Sequence, residues 1–92
     1  MESIQAILLK MTELLLIGGL ADWAGALQKC QNEIVADPSA TTGKILSLYG
    51  GMGSLNDLIL YSNGTLLKNE NNELDSLRSQ LYDSCRRLKN LK

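Results

Sequence analysis

Tyr49-Gly50-Gly51-Met52-Gly53-Ser54-Leu55-Asn56-Asp57 is the stretch of this 92-residue chain where helical periodicity gives way to something more specific. Three glycines within four positions permit positive φ and close backbone approach, a freedom whose entropic cost a plain linker has no reason to carry. Gly50, Gly51, Gly53, Ser54 and Asn56 therefore mark a structural turn. In it, Asn56 and Asp57 set the geometry through side-chain hydrogen bonds, while Tyr49 and Ser54 approach neighbouring backbone. The chain on either side reads mainly as helix.

Upstream, Ile4, Ile7, Leu8, Met11, Leu14 and Leu15 recur at i, i+3, i+4 and i+7, the pattern of an amphipathic helix. Leu9, Leu16 and Ile17 widen the apolar stripe, which predicts a central helix covered on more than one side. Ser3 caps its start, and Gly18-Gly19 closes its end. A second helix begins near Asp22 and carries Trp23, Ala24, Leu27, Cys30 and Ile34 on one face. It stops by Asp37, because Pro38 disfavours helical backbone before it. The short link between these helices predicts an antiparallel hairpin. A loop from Asp37 to Thr42 follows, then a short helix capped by Thr41 or Thr42 and bearing Ile45, Leu46, Leu48 and Tyr49.

Downstream of the glycines, Ser54 reads as a new cap, with Asp57 three residues on as the acidic partner of a capping box. The helix it opens holds Leu55, Leu58, Ile59 and Tyr61. Consecutive Leu58, Ile59, Leu60 and Tyr61, bounded by Ser62-Asn63-Gly64, also fit a short strand, and both readings stay open. Asn63-Gly64 is a turn in either case. A polar stretch, Lys68 to Asn72, leads into the last helix, with Asn71 or Asn72 as cap and Leu74, Leu77, Leu81, Cys85, Leu88 and Leu91 along one face. This helix is expected to lie in the groove of the first hairpin. A coiled-coil dimer through its leucines is the competing use of the same stripe.

The composition, 45% apolar with no Phe, one Trp and three Tyr, predicts a single folded domain over residues 1–92 with an aliphatic core typical of helix packing. The expected fold class is all-α, a compact bundle of four to five helices with the glycine-rich turn between two short central ones. The run from Ile4 to Ile17 is broken by Lys10, Thr12 and Glu13 and falls short of the roughly 20 apolar residues of a membrane span. A cytoplasmic protein without membrane contact is expected.

The chain lacks His, the commonest general base and metal ligand, which argues against an enzyme. Cys30 and Cys85 form no CxxC pair, so neither a zinc nor a redox motif is offered; they are reduced residues or an inter-helix disulfide. Ala40-Thr41-Thr42-Gly43-Lys44 lacks the first glycine and the final Ser or Thr of a phosphate loop, and Gly51-Met52-Gly53 lacks the third glycine of a dinucleotide fingerprint. Glu70, Glu73 and Asp75 suit the start of a helix. No metal and no cofactor are expected.

The net charge is −1, but it is unevenly spread. Residues 1–40 hold two basic and five acidic side chains, for −3, whereas residues from Lys68 onward hold six basic and four acidic, for +2. The basic end, with Arg86, Arg87, Lys89 and Lys92, suits a helix carboxyl terminus. Low aromatic content and a pI near 5.2 argue against nucleic-acid binding. The acidic front half suits a basic protein partner. Trp23 is either core or an aromatic anchor for that partner.

Leu20-Ala21-Asp22-Trp23-Ala24 with Leu27, and the run from Ile45 through Gly50-Gly51-Met52-Gly53-Ser54-Leu55-Asn56-Asp57-Leu58, resemble a family of small uncharacterised bacterial proteins with a Trp-bearing helix and a GGMGSLNDL signature. The likeness runs from about Leu14 to Leu60. It implies a non-catalytic intracellular protein of the kind encoded beside polymorphic toxins, some of which resemble immunity proteins of contact-dependent growth inhibition. The expectation is a stoichiometric inhibitor, monomeric when free, that binds a toxin, taken as a basic nuclease domain, through Asp22, Trp23, Glu33, Asp37 and Asp57. The alternative is a self-associating structural or regulatory helical module.

Overall fold

The computed structural model describes residues 3–50 and 53–90, and it is predominantly helical. Four helices, α1 (Ile4–Ile17), α2 (Ala21–Ala36), α3 (Pro38–Ser47) and α4 (Lys68–Asn90), are joined by a short 3₁₀ turn (Leu55–Asp57) and a hairpin of two-residue strands, β1 (Tyr61–Ser62) and β2 (Thr65–Leu66). The helices pack in a ring, α1 on α2, α2 on α3, α3 on α4, and α4 back on α1. The all-α bundle expected from helical periodicity is therefore the fold.

The first two helices lie near their expected bounds. Ser3 Oγ accepts from the Ala6 amide at 3.1 Å. Gly18 and Gly19 close α1 with two reversed hydrogen bonds, Gly19 N to Leu16 O at 3.1 Å and Leu20 N to Leu15 O at 2.8 Å. Leu9, Leu16 and Ile17 depart from expectation, remaining 47–57% exposed. The rest of the helix is covered on two sides, by α2 and α4, as expected of a helix with a broad apolar stripe. On α2, Asp22 stands within the first turn and makes no capping bond.

Three corrections follow from local chemistry. The expected loop from Asp37 to Thr42 is the first turn of α3. Pro38 opens that helix where its missing N–H costs nothing, and Asp37 Oδ1 caps it by accepting from Ala40 N at 3.2 Å. Thr41 and Thr42 are buried and cap nothing. The second short central helix is absent: after the 3₁₀ turn the chain is extended at Leu58, and of the four residues Leu58 to Tyr61 that also fitted a strand only Tyr61 lies in one, β1. Finally, α4 starts at Lys68, ahead of the expected caps, and it packs against α1 and α3 rather than in the groove of α1 and α2.

The core is the shared apolar interior of this ring, with Ile7, Leu8, Met11, Leu15, Leu27, Ile45, Leu55, Leu60, Leu74 and Leu81 buried. Leu77 and Cys85 complete the apolar face of α4. Of the leucine stripe that suggested a coiled coil, Leu74, Leu77 and Leu81 are thus covered within one copy of the chain, Leu88 is half-buried, and Leu91 lies outside the described residues. Leu60, from the segment before the hairpin, is fully buried against α1. Its side chain lies so close to Gly18 that an added Cβ would meet Leu60 Cδ2 at 2.6 Å. Both cysteines are buried free thiols.

Candidate functional site: a groove on the last helix

Two polar side chains of α4 fasten the segment 53–67 to the bundle. Asn71 does so with its amide: Oδ1 accepts from Leu60 N at 2.7 Å, and Nδ2 donates to Leu60 O at 3.0 Å and Leu67 O at 2.8 Å. One side chain thereby completes both backbone groups of a buried residue, as a neighbouring strand would. Arg78 performs the corresponding task for the 3₁₀ turn. Its Nη1 donates to the carbonyls of Leu55, Asn56 and Leu58 at 2.9, 3.1 and 3.2 Å, and its Nη2 pairs with Asp75. Burial of the guanidinium draws its pKa below the ordinary value.

Tyr49, at the end of α3, points onto the same turn of α4. Its hydroxyl donates to Arg78 O at 2.8 Å, and its ring meets that of Tyr82 edge-on at 5.2 Å. Burial pushes the Tyr49 phenol well above its usual range. The Arg86 guanidinium lies 5.8 Å from the centre of the Tyr82 ring and donates to its hydroxyl at 3.2 Å. Between these elements opens a cleft of about 600 Å³, lined by Tyr49, Asn56, Asp75, Arg78, Ser79, Tyr82 and Asp83. The residues of α4 in it follow one helical face.

The glycine-rich turn is organised differently from its sequence reading. Gly53 adopts φ +75°, as expected of a glycine there, and its amide donates to Asp57 Oδ2 at 2.7 Å. Asp57 therefore fixes the turn as anticipated. Gly50 has an ordinary φ and open space around it, so nothing in its conformation requires glycine. Gly51 lies outside the described residues. Ser54 makes no side-chain capping bond, and its hydroxyl is buried without a partner. The three-residue turn is too short for a reciprocal capping box. Asn56 contributes its carbonyl to Arg78 rather than a side-chain bond.

The five candidate partner-binding residues do not form one patch of free groups. Glu33 accepts from Lys44 Nζ at 2.9 Å, which holds its carboxyl below the usual carboxylate range. Asp37 caps α3 and Asp57 holds Gly53. Asp22 is exposed, and Trp23 is half-buried, with part of its ring against the core. The groove on α4 escaped the sequence because Arg78 and Tyr49 are 29 positions apart and no local pattern joins them. The one available signal was an arginine and a tyrosine interrupting the polar face of a leucine-striped helix.

The geometry defines a small helical domain whose central loop is buckled onto its last helix. Residues 18–68 match the family model described as a domain of unknown function, DUF6966, and the chain belongs to that family. The match ends before Asn71 and Arg78, which hold the matched segment in place. No curated protein and no solved structure matches the chain. Among the described residues, no three His, Cys, Asp or Glu side chains gather as metal ligands, and no helix is long and apolar enough to cross a membrane.

Proposed function

We propose that this protein acts by stoichiometric binding to another protein and carries out no catalysis. The observation that supports this reading is the engagement of the polar groups in and around the cleft. Arg78, Tyr49, Asn71 and Asp57 all bond to backbone of their own chain, which builds a fixed surface instead of a set of groups free to move protons. Beside that surface Ile59, Tyr61 and Leu66 stay half exposed, and aliphatic and aromatic side chains rimmed by polar ones are a usual make-up for interfaces.

The partner in this reading is a bacterial toxin domain with a basic active site, and the chain is its cytoplasmic immunity protein, a monomer when free. Support comes from the resemblance carried by the GGMGSLNDL signature and from the acidic balance of residues 1–40, which would steer a basic partner. Co-expression with the product of the adjacent upstream gene tests the proposal. The expected result is co-purification and relief of toxicity; separate elution without relief rejects it.

A further inference from the structure

The β1 strand is bonded along one edge only. Ser62 and Thr65 flank the turn Asn63-Gly64, whose two residues have left-handed backbone at φ 52° and 77°, and they pair across it. A pair beside such a turn exchanges its backbone hydrogen bonds, and the next pair out, Tyr61 and Leu66, turns its N–H and C=O groups away from the ladder. One step further the ladder closes again: Leu67 N donates to Leu60 O at 3.0 Å, and Leu60 N donates to Asn71 Oδ1 at 2.7 Å. Leu60 therefore uses both its backbone groups on the inner edge. Ile59 and Tyr61, on either side of it, present theirs along the outer edge. No described residue bonds to the backbone of Ile59.

That outer edge carries none of the usual protection. Leu58, Ile59, Leu60, Tyr61 and Ser62 include no charge and no proline, the devices that keep an open edge from pairing with another chain. Side chains alternate along it. Leu60 points into the core at 0% exposure, whereas Ile59 and Tyr61 stand on the outer face at 52% and 50%. Leu66, opposite Tyr61 in the ladder, is 51% exposed on that same face. Free backbone groups thus run beside a small apolar face, a combination that extended backbone with a matching side-chain pattern completes.

We infer that a second copy of this chain completes it, by antiparallel pairing of the two β1 edges about a twofold axis at Leu60. In that register Ile59 opposes Tyr61 of the second copy, and Tyr61 opposes its Ile59. Each of these residues donates its N–H to the carbonyl of the residue opposite, which gives four backbone hydrogen bonds. The side chains suit the register: each pair sets a β-branched group against an aromatic ring, a favourable cross-strand combination, and no like charges meet. One segment supplies the free donors, the free acceptors and both halves of each side-chain pair, which is what a symmetric contact requires. The product is a four-stranded antiparallel sheet in the order β2-β1-β1-β2. Three half-exposed side chains per copy fall well short of the roughly 800 Å² per partner of a stable complex. The dimer is therefore weak, forming at roughly 500 µM and dissociated at about 1 µM. At the lower concentration the chain is the monomer of the binding role proposed above, which this inference goes beyond and does not depend on.

The test uses the full chain. Sedimentation equilibrium from about 10 µM to about 1 mM should show the average mass rising from 10.1 kDa towards twice that value. In a mixture of ¹³C-labelled and unlabelled chain at the higher concentration, filtered nuclear Overhauser contacts are expected between the Ile59 methyls of one copy and the Tyr61 ring of the other. Ile59→Lys and Tyr61→Lys each place a charge on the paired edge and should weaken association about tenfold or more. Leu16→Lys, on a residue of α1 that is 57% exposed, should leave association unchanged. A chain that stays monomeric throughout overturns the inference. So does a dimer whose contacts between copies lie elsewhere, or one that Leu16→Lys disrupts and Tyr61→Lys spares. Mass and contacts are read on the unaltered chain, so a variant that fails to fold leaves the test intact. Neither measurement involves another protein, and stoichiometric binding is judged separately by co-purification.

Discussion

Replacing Arg78 with alanine removes the group that fastens the 3₁₀ turn to α4. Its side chain is only 11% exposed, so the Leu55 and Leu58 carbonyls beneath it are poorly placed to recover a water in exchange. A lost hydrogen bond from a charged donor is worth about 1.5–3 kcal/mol, but three acceptors share one Nη1 and the Asn56 carbonyl is exposed, so the bonds do not add in full. The expected cost of Arg78→Ala is about 2–4 kcal/mol. For a chain of this size that lowers Tm by roughly 10–25 °C. Arg78→Lys, a point donor in place of a planar fork, should cost about half as much. Asp75→Ala should cost under about 1 kcal/mol, because the Asp75 carboxylate is 65% exposed and its ion pair is screened by water. Urea denaturation of the four proteins, with the folded fraction read by far-ultraviolet circular dichroism, gives these values. An Arg78→Ala protein within about 0.5 kcal/mol of the parent would refute the reasoning, as would equal losses for Arg78→Ala and Asp75→Ala.

Gly18→Ala should destabilise the chain by about 1–3 kcal/mol in the same assay, since the new methyl would strike Leu60 in the core, whereas Gly50→Ala should be neutral or stabilising by up to about 1 kcal/mol. Ser54→Ala should leave stability unchanged or raise it slightly, because the hydroxyl it removes is buried and unbonded; a loss of about 1 kcal/mol would restore the capping role instead. Alkaline titration should weaken the fold. Burial, followed by the nearby Cys30, pushes the Cys85 thiol from 9.0 up to about 11, so the folded chain keeps a proton that the unfolded chain releases. This contribution is fully present below pH 9 and lost as pH rises through about 11, with the raised Tyr49 phenol acting in the same direction; a flat stability profile over that range would contradict the burial of both groups.

Sequence periodicity located α1 and α2 almost to the residue, because each carries its apolar stripe and its stop signal locally. Gly18-Gly19 and Asp37-Pro38 are short-range chemistry, and short-range chemistry can be read from neighbours. Even so, Asp37-Pro38 was only half legible. Proline forbids helix before it and favours helix after it, and the small polar residues that follow obscured the second consequence. The hairpin and the bindings of Asn71 and Arg78 were beyond reach for a different reason. An asparagine in the first turns of a helix looks like a cap, and only the folded chain reveals that its amide faces Leu60, eleven residues back. Nor could neighbouring residues show that α3 brings Lys44 to Glu33 and the Ala40 amide to Asp37.

Stoichiometric binding is tested most directly by co-expressing this chain with the product of the upstream gene and measuring the eluted species by light scattering. The expected result is one peak with the mass of a one-to-one complex, together with restored growth of the host. A chain that elutes alone, with the host still inhibited, would contradict the proposed role.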